Sequence, residues 1–216
     1  SYLIKNKKRP ITCIIGGSKI STKIGVLSNL IKNSDNLIIV GAMANNFLKY
    51  NGFEIGASLV EKKTKNIIKK IYLLSKKYKC KILIPFDFMI SKKMSGNSTY
   101  RSESEIRNDE IILDIGKNTI SSIKKLINRS RTIFWNGPAG YYENKKFLKG
   151  TRSLALTISD KTRSGQLISI VGGGDTIAAI KKAKIKTIFT HLSTAGGAFL
   201  ESLEGKELPA IKVLKR

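Results

Sequence analysis

Short runs rich in isoleucine and valine alternate along the chain with longer segments that have the period of amphipathic helices. Most of these runs lack polar alternation, which is typical of strands buried on both faces of a sheet. The predicted strands are 11–15, 37–40, 81–84, 111–114, 132–135, 167–171 and 187–190. Because alternating strands and helices favour parallel connections, the pattern predicts a three-layer α/β/α, Rossmann-like domain. Its sheet should be mainly parallel, doubly wound and about six strands wide.

The clearest predicted helix spans Ser58 to Tyr78, where one apolar stripe is surrounded by lysines. The stripe consists of Ile67, Ile71, Leu74 and Tyr78. Other helices are predicted to begin near Thr22, Ala42, Asn118, Lys149, Thr176 and Gly197. The polar segment 86–110 is predicted to be a long excursion, a kind of loop that is often functional. No internal repeat or linker is visible, so we predict a single domain over residues 1–216.

Glycines follow five of the predicted strands, at the sheet edge where ligands bind in doubly wound folds. The turns are 16-GGSKISTK-23, 41-GAMANNF-47, 136-NGPAGYYE-143, 172-GGGDT-176 and 193-STAGGA-198. Glycine lets backbone N–H groups approach an anion, and a helix N-terminus adds favourable partial charge. These turns indicate a phosphate-rich ligand, although neither GxxxxGK[ST] nor GxGxxG spacing is present.

Four charged residues in or beside these turns are candidates for the chemistry, each with an alternative role. Lys19 and Lys23 would neutralise phosphate charge, or they are solvated surface lysines. Asp175 is either a helix N-cap or a Mg²⁺ ligand beside nucleotide phosphates, and both roles could coexist. Glu143 would accept hydrogen bonds from ribose hydroxyls, or it is a surface acid.

The formal net charge of +25 raises the question of a polyanionic partner. Lysines are spread along the whole chain, which favours a solvated surface over a specific nucleic-acid site. No apolar run approaches the roughly 20 residues of a membrane span, and no signal-peptide pattern is visible. Zinc-ligand spacing and a Ser-His-Asp arrangement are also missing. We therefore expect a cytoplasmic protein without membrane partners.

Read in order, these motifs resemble those of the phosphoglycerate kinases. The most specific stretches are 135-WNGPAGYYE-143, 172-GGGDT-176 and 193-STAGGAFLESLEGKELP-209, and the resemblance covers nearly the whole chain. It implies the C-terminal, nucleotide-binding domain of such an enzyme, with ADP or ATP as substrate and Mg²⁺ as cofactor. The N-terminal domain, which in the family binds 3-phosphoglycerate or 1,3-bisphosphoglycerate, has no counterpart in this sequence.

The implied activity is glycolytic phosphoryl transfer between 1,3-bisphosphoglycerate and ADP, by a monomer. Such a reaction needs mainly positioning and charge neutralisation, which agrees with the lack of paired acids and catalytic histidines. We expect this chain alone to bind Mg-ADP or Mg-ATP without completing the reaction. The alternatives are a non-catalytic nucleotide-binding remnant and a basic nucleic-acid-binding α/β module, whose binding would weaken steeply with salt.

The resemblance also assigns roles to individual residues. The catalytic residues would be Lys19, Gly173, Gly196 and Gly197. The nucleotide-binding residues would be Gly17, Ser18, Lys19, Lys23, Gly41, Ala42, Leu113, Asn136, Pro138, Tyr141, Glu143, Gly172, Gly173, Gly174, Asp175 and Thr176. Lys19 would contact the transferring phosphoryl group, and Asp175 would be the magnesium ligand. Ala42, Ala195, Lys117 and segment 92–97 depart from the family's commonest pattern.

Overall fold

The computed structural model of the protein describes residues 7–193. Its main sheet consists of β1 (Ile11–Ile15), β2 (Asn36–Ile39), β3 (Lys81–Leu83), β7 (Thr132–Asn136), β8 (Ile168–Gly172) and β9 (His191–Ser193). These strands lie in the order β3-β2-β1-β7-β8-β9, and every neighbouring pair is parallel. The chain builds outward from β1 in one direction and then from β7 in the other. The topological switch point, where ligands bind in such sheets, therefore lies between β1 and β7.

Helices cover both faces of the main sheet and bury a separate apolar core on each. They are α1 (Ile24–Asn33), α2 (Ala42–Tyr50), α3 (Lys65–Tyr78), α4 (Lys117–Arg129), α5 (Lys149–Arg163) and α6 (Gly174–Lys182). Cys13 and Ile15 of β1 face the core made with α1, α2 and α3. Ile14 faces the opposite core, which α4, α5 and α6 complete. The predicted three-layer α/β/α fold with a six-stranded parallel sheet is confirmed.

A second, antiparallel sheet lies beside the main sheet. It contains β4 (Asp87–Ser91), β5 (Thr99–Ser102) and β6 (Ile111–Ile115), in the order β5-β4-β6. The predicted strand 111–114 was therefore placed correctly along the chain but assigned to the wrong sheet. Segment 86–110, expected to be an irregular excursion, supplies the other two strands. Phe88 and Ile90 pack with Leu48 of α2 in a small third core.

The predicted helix Ser58–Tyr78 was too long at its N-terminal end, because α3 begins at Lys65. Tertiary hydrogen bonds hold the preceding residues out of the helix: the buried Ser58 hydroxyl accepts from Ile112 N at 2.9 Å. In the predicted stripe, Ile71 is buried and Ile67 and Leu74 pack partly buried against the same core, whereas Tyr78 is exposed. Ile68, which was not in the stripe, is also buried. Periodicity therefore indicated the buried face of α3 but not its full width or where it ends.

The last described strand lies further along the chain than the predicted 187–190. Thr190 exchanges hydrogen bonds with Ser169 through its hydroxyl and its backbone, and the strand ladder starts only at His191, opposite Ile170. The helix predicted near Gly197 lies outside the described residues. Across residues 7–193, none of the helices combines the length and apolar character needed to cross a bilayer.

Candidate functional site

A cavity of about 330 Å³ lies between the carboxyl end of the main sheet and the second sheet. This volume falls within the range of small-molecule sites. Nine residues predicted from the sequence line it: Gly17, Ser18, Gly41, Ala42, Leu113, Pro138, Tyr141, Glu143 and Asp175. They come from turns after three parallel strands, from β6 and from the start of α6. The topology thus brings together residues more than 150 positions apart in sequence at the switch point.

One side of the cavity is apolar and belongs largely to the second sheet. We call Phe88, Met94, Ile111, Ile112 and Leu113 the second-sheet wall. Only Leu113 of this set was predicted. Ile111 and Ile112 adjoin it on β6, whereas Met94 falls in the segment 92–97 that fits the family poorly. Leu59 and Tyr142 also line the cavity and were missed. An apolar residue in a loop gives no local signal that it faces a ligand, since periodicity reports only burial.

The polar end of the site is built from the turns that follow β1, β7 and β8. We call Gly16, Gly17, Asn136, Gly137, Gly172 and Gly173 the strand-end rim. The Asn136 side chain donates to Gly172 O at 3.0 Å, which ties β7 to β8. Thr176 Oγ1 donates to Gly172 O at 2.8 Å and accepts from Gly137 N at 2.6 Å. Asn136 and Thr176 are buried, so the rim is internally hydrogen-bonded and rigid.

Lys23 carries its ammonium group into the strand-end rim. Its Nζ donates to Gly16 O at 2.7 Å and to Asn136 Oδ1 at 3.1 Å. Burial lowers the pKa of Lys23, and the negative charge of Asp175 opposes that shift. Gly17 lines the cavity, and a Cβ added to it would lie 3.1 Å from Lys23 Nζ. The structure therefore holds a cation directly beside the cavity.

Helix α6 begins at the strand-end rim, and no side chain among residues 7–193 caps its N-terminus. Its N-cap is Gly173, whose φ of +97° favours glycine. Asp175 is the second residue inside the helix, so the N-cap interpretation of Asp175 was wrong. Its carboxylate is exposed and accepts from the Tyr142 hydroxyl at 3.2 Å. The first turn of α6 thus offers backbone N–H groups that have no intrahelical acceptor, together with one accessible carboxylate.

The structure does not bring all the predicted residues to the cavity wall. Lys19 lies in the loop after β1 and is exposed; within residues 7–193 its ammonium group has no hydrogen bond or ion pair. Lys23, Asn136, Gly172, Gly173, Gly174 and Thr176 build the adjoining polar end and do not line the cavity. Gly196, Gly197 and Ala195 lie outside the described residues. Lys117 begins α4 and stacks its ammonium 5.2 Å from the Tyr100 ring centroid.

The turns at this edge are also joined to one another and to the second sheet. Met43 N donates to Gly17 O at 2.7 Å, and Gly41 N donates to Ala139 O at 3.2 Å. Tyr141 N donates to Leu113 O at 2.6 Å, which fixes the turn after β7 against β6. Glu143 stands exposed beside this turn, and its backbone carbonyl accepts from Lys182 Nζ at 2.6 Å. The cavity mouth is therefore held by backbone contacts between distant segments.

A buried carboxyl group, Asp114, lies where the second sheet meets α5. Its oxygens accept from Ile115 N at 2.9 Å and from Gly150 N at 2.8 Å. Burial raises the pKa of Asp114 to about 7, while hydrogen bonds from Gly150 and Ile115 oppose the rise. A Cβ on Gly150 would lie 2.3 Å from Oδ1, so only glycine fits there. Asp114 therefore joins the second sheet to α5, a contact that no sequence pattern predicted.

The site suits a metal ion that is bound partly by the protein and partly by the phosphates of a substrate. Between residues 7 and 193, no three residues of the types His, Cys, Asp and Glu cluster closely enough to bind a metal ion. Mg²⁺ usually keeps several waters and is bound by one or two carboxylates together with substrate phosphates. Asp175, an accessible carboxylate at a helix N-terminus, fits that kind of site.

Comparisons with known proteins agree with this architecture. The family model described as phosphoglycerate kinase matches residues 1–206. The phosphoglycerate kinase of Zymomonas mobilis is 43% identical over 208 residues, covering 95% of this chain and 52% of that protein. That of Orientia tsutsugamushi is 44% identical over 215 residues, covering 98% and 53%. The chain spans about half the length of the curated relatives it matches.

Solved structures give the same result. The structure of phosphoglycerate kinase from Coxiella burnetii matches with a TM-score of 0.91 and 40% identity, covering 98% of this chain and 54% of that one. The structure from Pyrococcus horikoshii matches with a TM-score of 0.78 and 28% identity, covering 99% and 53%. With a family match over most of its length, the chain belongs to the phosphoglycerate kinase family.

Proposed function

We propose that residues 1–216 form the nucleotide-binding domain of a phosphoglycerate kinase and bind Mg-ADP or Mg-ATP. The observation that carries the proposal is the continuity of the site. One cavity leads from an apolar wall to Asp175 in the first turn of α6, with the Lys23 ammonium beside it. An adenosine needs an apolar slot, and a phosphate chain needs N–H donors and cations; here the two adjoin.

Each end of the site has a proposed task. The base would pack against the second-sheet wall and Leu59, the ribose would meet Glu143, and the phosphates would reach the first turn of α6. Lys23 would hold nucleotide phosphate, since its ammonium is already fixed by Gly16 and Asn136. Asn136 and Thr176 support this end by joining β7, β8 and α6. Preorganised donors of this kind cost little reorganisation when charge develops.

Asp175 is the proposed magnesium ligand. Bound Mg²⁺ would neutralise phosphate charge and orient the phosphoryl group for transfer. The Tyr142 hydroxyl, which donates to Asp175, would keep that carboxylate oriented toward the cavity. Tyr142 itself lines the cavity, so this hydrogen bond lies at the mouth of the site.

The phosphoryl transfer itself is proposed to require a second substrate, 3-phosphoglycerate or 1,3-bisphosphoglycerate, held by another part of the enzyme. Lys19, exposed and without a bonded partner in the described part of the chain, would reach the transferring group. Aligning both reactants can be worth roughly 7–11 kcal/mol of the barrier. We therefore expect no measurable turnover from this chain alone, and partial recovery when the N-terminal half of a relative is added. Full activity of the chain alone would contradict this division of labour.

Thermal unfolding in the presence of nucleotide tests the binding proposal. A ligand at about 100 times its dissociation constant adds roughly 2.7 kcal/mol, which should raise Tm by about 5 °C or more. Asp175→Asn should keep the Tm of the free protein and lose most of the magnesium-dependent part of the shift. Asp160→Asn, a change of equal charge at an exposed residue of α5, is the control.

Two outcomes would contradict the proposal. One is the lack of any shift at millimolar Mg-ADP. The other is a larger, steeply salt-sensitive shift with double-stranded DNA, which would instead favour a nucleic-acid-binding module.

A further inference from the structure

The loop that carries Lys19 is held by an acidic residue forty positions away. Glu61 Oε2 accepts from the backbone N–H groups of Ile20 at 2.9 Å and Ser21 at 3.1 Å. Its other oxygen, Oε1, accepts from the Ser21 hydroxyl in a short hydrogen bond. Ser21 opens a short 3₁₀ helix (Ser21–Lys23) that has no local side-chain cap. Glu61 therefore caps this helix from a distant segment.

Glu61 is itself fixed by a buried amide. Its backbone N–H donates to Asn46 Oδ1 at 2.9 Å, and Asn46 Nδ2 donates to Met43 O at 3.2 Å within α2. Asn46 is only 2% exposed, so this contact anchors residue 61 to a packed helix. The hydrogen bonds at Glu61 thus connect the Lys19 loop to α2.

The same helix holds the other end of the loop. Met43 N donates to Gly17 O at 2.7 Å, and Ile20 is completely buried. The short span between Gly17 and Ile20 is therefore pinned on both sides. Ser18 and Lys19, both exposed, are presented between these two anchors.

The charge of Glu61 also suits this position. The hydrogen bond from the Ser21 hydroxyl is the largest cause that lowers the pKa of Glu61, and the nearby charge of Lys19 adds to it. The carboxylate stays ionised at neutral pH and receives three donors from one loop. Charge-assisted hydrogen bonds of this kind are stronger than neutral ones.

We infer that Glu61 is a positioning residue, whose carboxylate fixes the loop so that Lys19 points at the terminal phosphate of the bound nucleotide. This inference rests on the proposed function, because Lys19 has a task only if a nucleotide occupies the cavity. It assigns Glu61 no contact with substrate. The Glu61 carboxylate would act through the loop, so replacing it should change only those binding steps in which Lys19 takes part.

The test is a double-mutant cycle on nucleotide affinity, with Mg-ATP and Mg-ADP titrated calorimetrically into each variant of the full chain. Glu61→Gln should weaken Mg-ATP binding by about tenfold, within the range for residues coupled in one hydrogen-bond network. Mg-ADP lacks the γ-phosphate that Lys19 would contact, so its affinity should change less than twofold. In a Lys19→Met background, Glu61→Gln should have no further effect on Mg-ATP.

Glu54→Gln is the matched control, since Glu54 is an exposed acid of the same segment, and it should leave the ratio of ATP to ADP affinity unchanged. Ser21→Ala removes one donor to Glu61, so it should lower the ratio of ATP to ADP affinity by a smaller factor than Glu61→Gln does. This second variant replaces Glu61→Gln in the test if Glu61→Gln does not fold. An unchanged ratio in both variants, or equal losses with and without Lys19, would overturn the inference. If the unmodified chain binds neither nucleotide, the proposed function fails and the inference with it.

Discussion

The strand-end rim and the second-sheet wall meet in one cavity but are built in opposite ways. In the rim, Asn136 and Thr176 are buried, and their side-chain hydrogen bonds join β7, β8, α6 and Lys23. In the wall and its loop neighbour, Met94 is 47% exposed and Leu59 is 60% exposed. The rim depends on backbone conformation and hydrogen bonds, whereas the wall depends on apolar area.

This contrast follows from what each end has to recognise under the proposed function. A phosphate is bound by N–H groups whose directions are fixed by the backbone. If one turn of the rim moves, several of these donors stop pointing at the phosphate together. An apolar base is bound by area, which many side chains supply about equally well. Substitutions in the rim should therefore cost stability and binding, whereas a substitution at an exposed residue of the wall, Met94, should cost binding alone.

The largest expected effect is a loss of stability on substituting Gly173 in the rim. Its φ is +97°, and a Cβ there would lie 2.6 Å from Asn136 Nδ2. Gly173→Ala should lower the free energy of unfolding by about 3–4 kcal/mol, from backbone strain together with a disturbed buried amide. Urea denaturation measures the change.

Gly174 is the matched control for this substitution. It is the first residue of α6, has no positive φ, and a Cβ there would meet nothing within 4 Å. Gly174→Ala should be neutral or stabilise the protein by up to about 1 kcal/mol, because alanine favours a helix. Equal losses in both variants would mean that the rim is not specially constrained.

The next prediction concerns Asp114, which joins the second sheet to α5. Its folded pKa is about 7, against 3.8 for the free side chain. The folded state therefore binds the proton more tightly, and this group stabilises the protein at acid pH and loses that contribution as the pH rises through about 7. Between about pH 5 and pH 8 the loss should be roughly 2–3 kcal/mol.

Comparison of variants isolates this contribution. Asp114→Asn, which cannot ionise, should be less pH-dependent than the parent by that amount in urea denaturation at the two pH values. Asp160→Asn, at an exposed acid, should follow the parent curve. If Asp114→Asn keeps the full pH dependence, the junction between the second sheet and α5 does not hold a neutral carboxyl group.

The smallest expected effect is in the second-sheet wall. Met94→Ala removes part of a half-exposed side chain that lines the cavity, so nucleotide affinity should fall about threefold, or under 1 kcal/mol. Its free energy of unfolding should stay within about 0.5 kcal/mol of the parent. Leu73→Ala, at an exposed position of α3 away from the cavity, should change neither quantity. A loss of several kcal/mol in stability would remove the contrast between wall and rim.

Much of the main sheet could be predicted because its signals are local. The bounds of β1 were predicted as observed, and glycine marked the turns after β1, β2, β7 and β8. Helices α2 and α5 begin at the predicted residues Ala42 and Lys149. An apolar run reports that a strand is buried on both faces, and a glycine at its end reports a tight turn, whatever the rest of the chain does.

The second sheet could not be predicted in the same way. The apolar run 111–114 looked like the others, since hydrophobicity records burial and not the identity of the neighbouring strand. Residues 58–64 had a helical pattern, yet Ser58 bonds to Ile112 and Glu61 bonds to the loop at Ile20 and Ser21. These contacts join segments about forty to fifty residues apart, which local propensity does not encode.

The sequence by itself determined the α/β class, the parallel core and nine of the residues, from Gly17 to Asp175, that line the cavity. Only the tertiary structure decided that Asp175 lies inside α6, that Asp114 is buried where the second sheet meets α5, and that Glu61 holds the Lys19 loop. The physical reason is the distance along the chain over which each property is set. Strand burial, helix period and turn chemistry are properties of neighbouring residues, whereas the environment of a charged group depends on everything that packs around it.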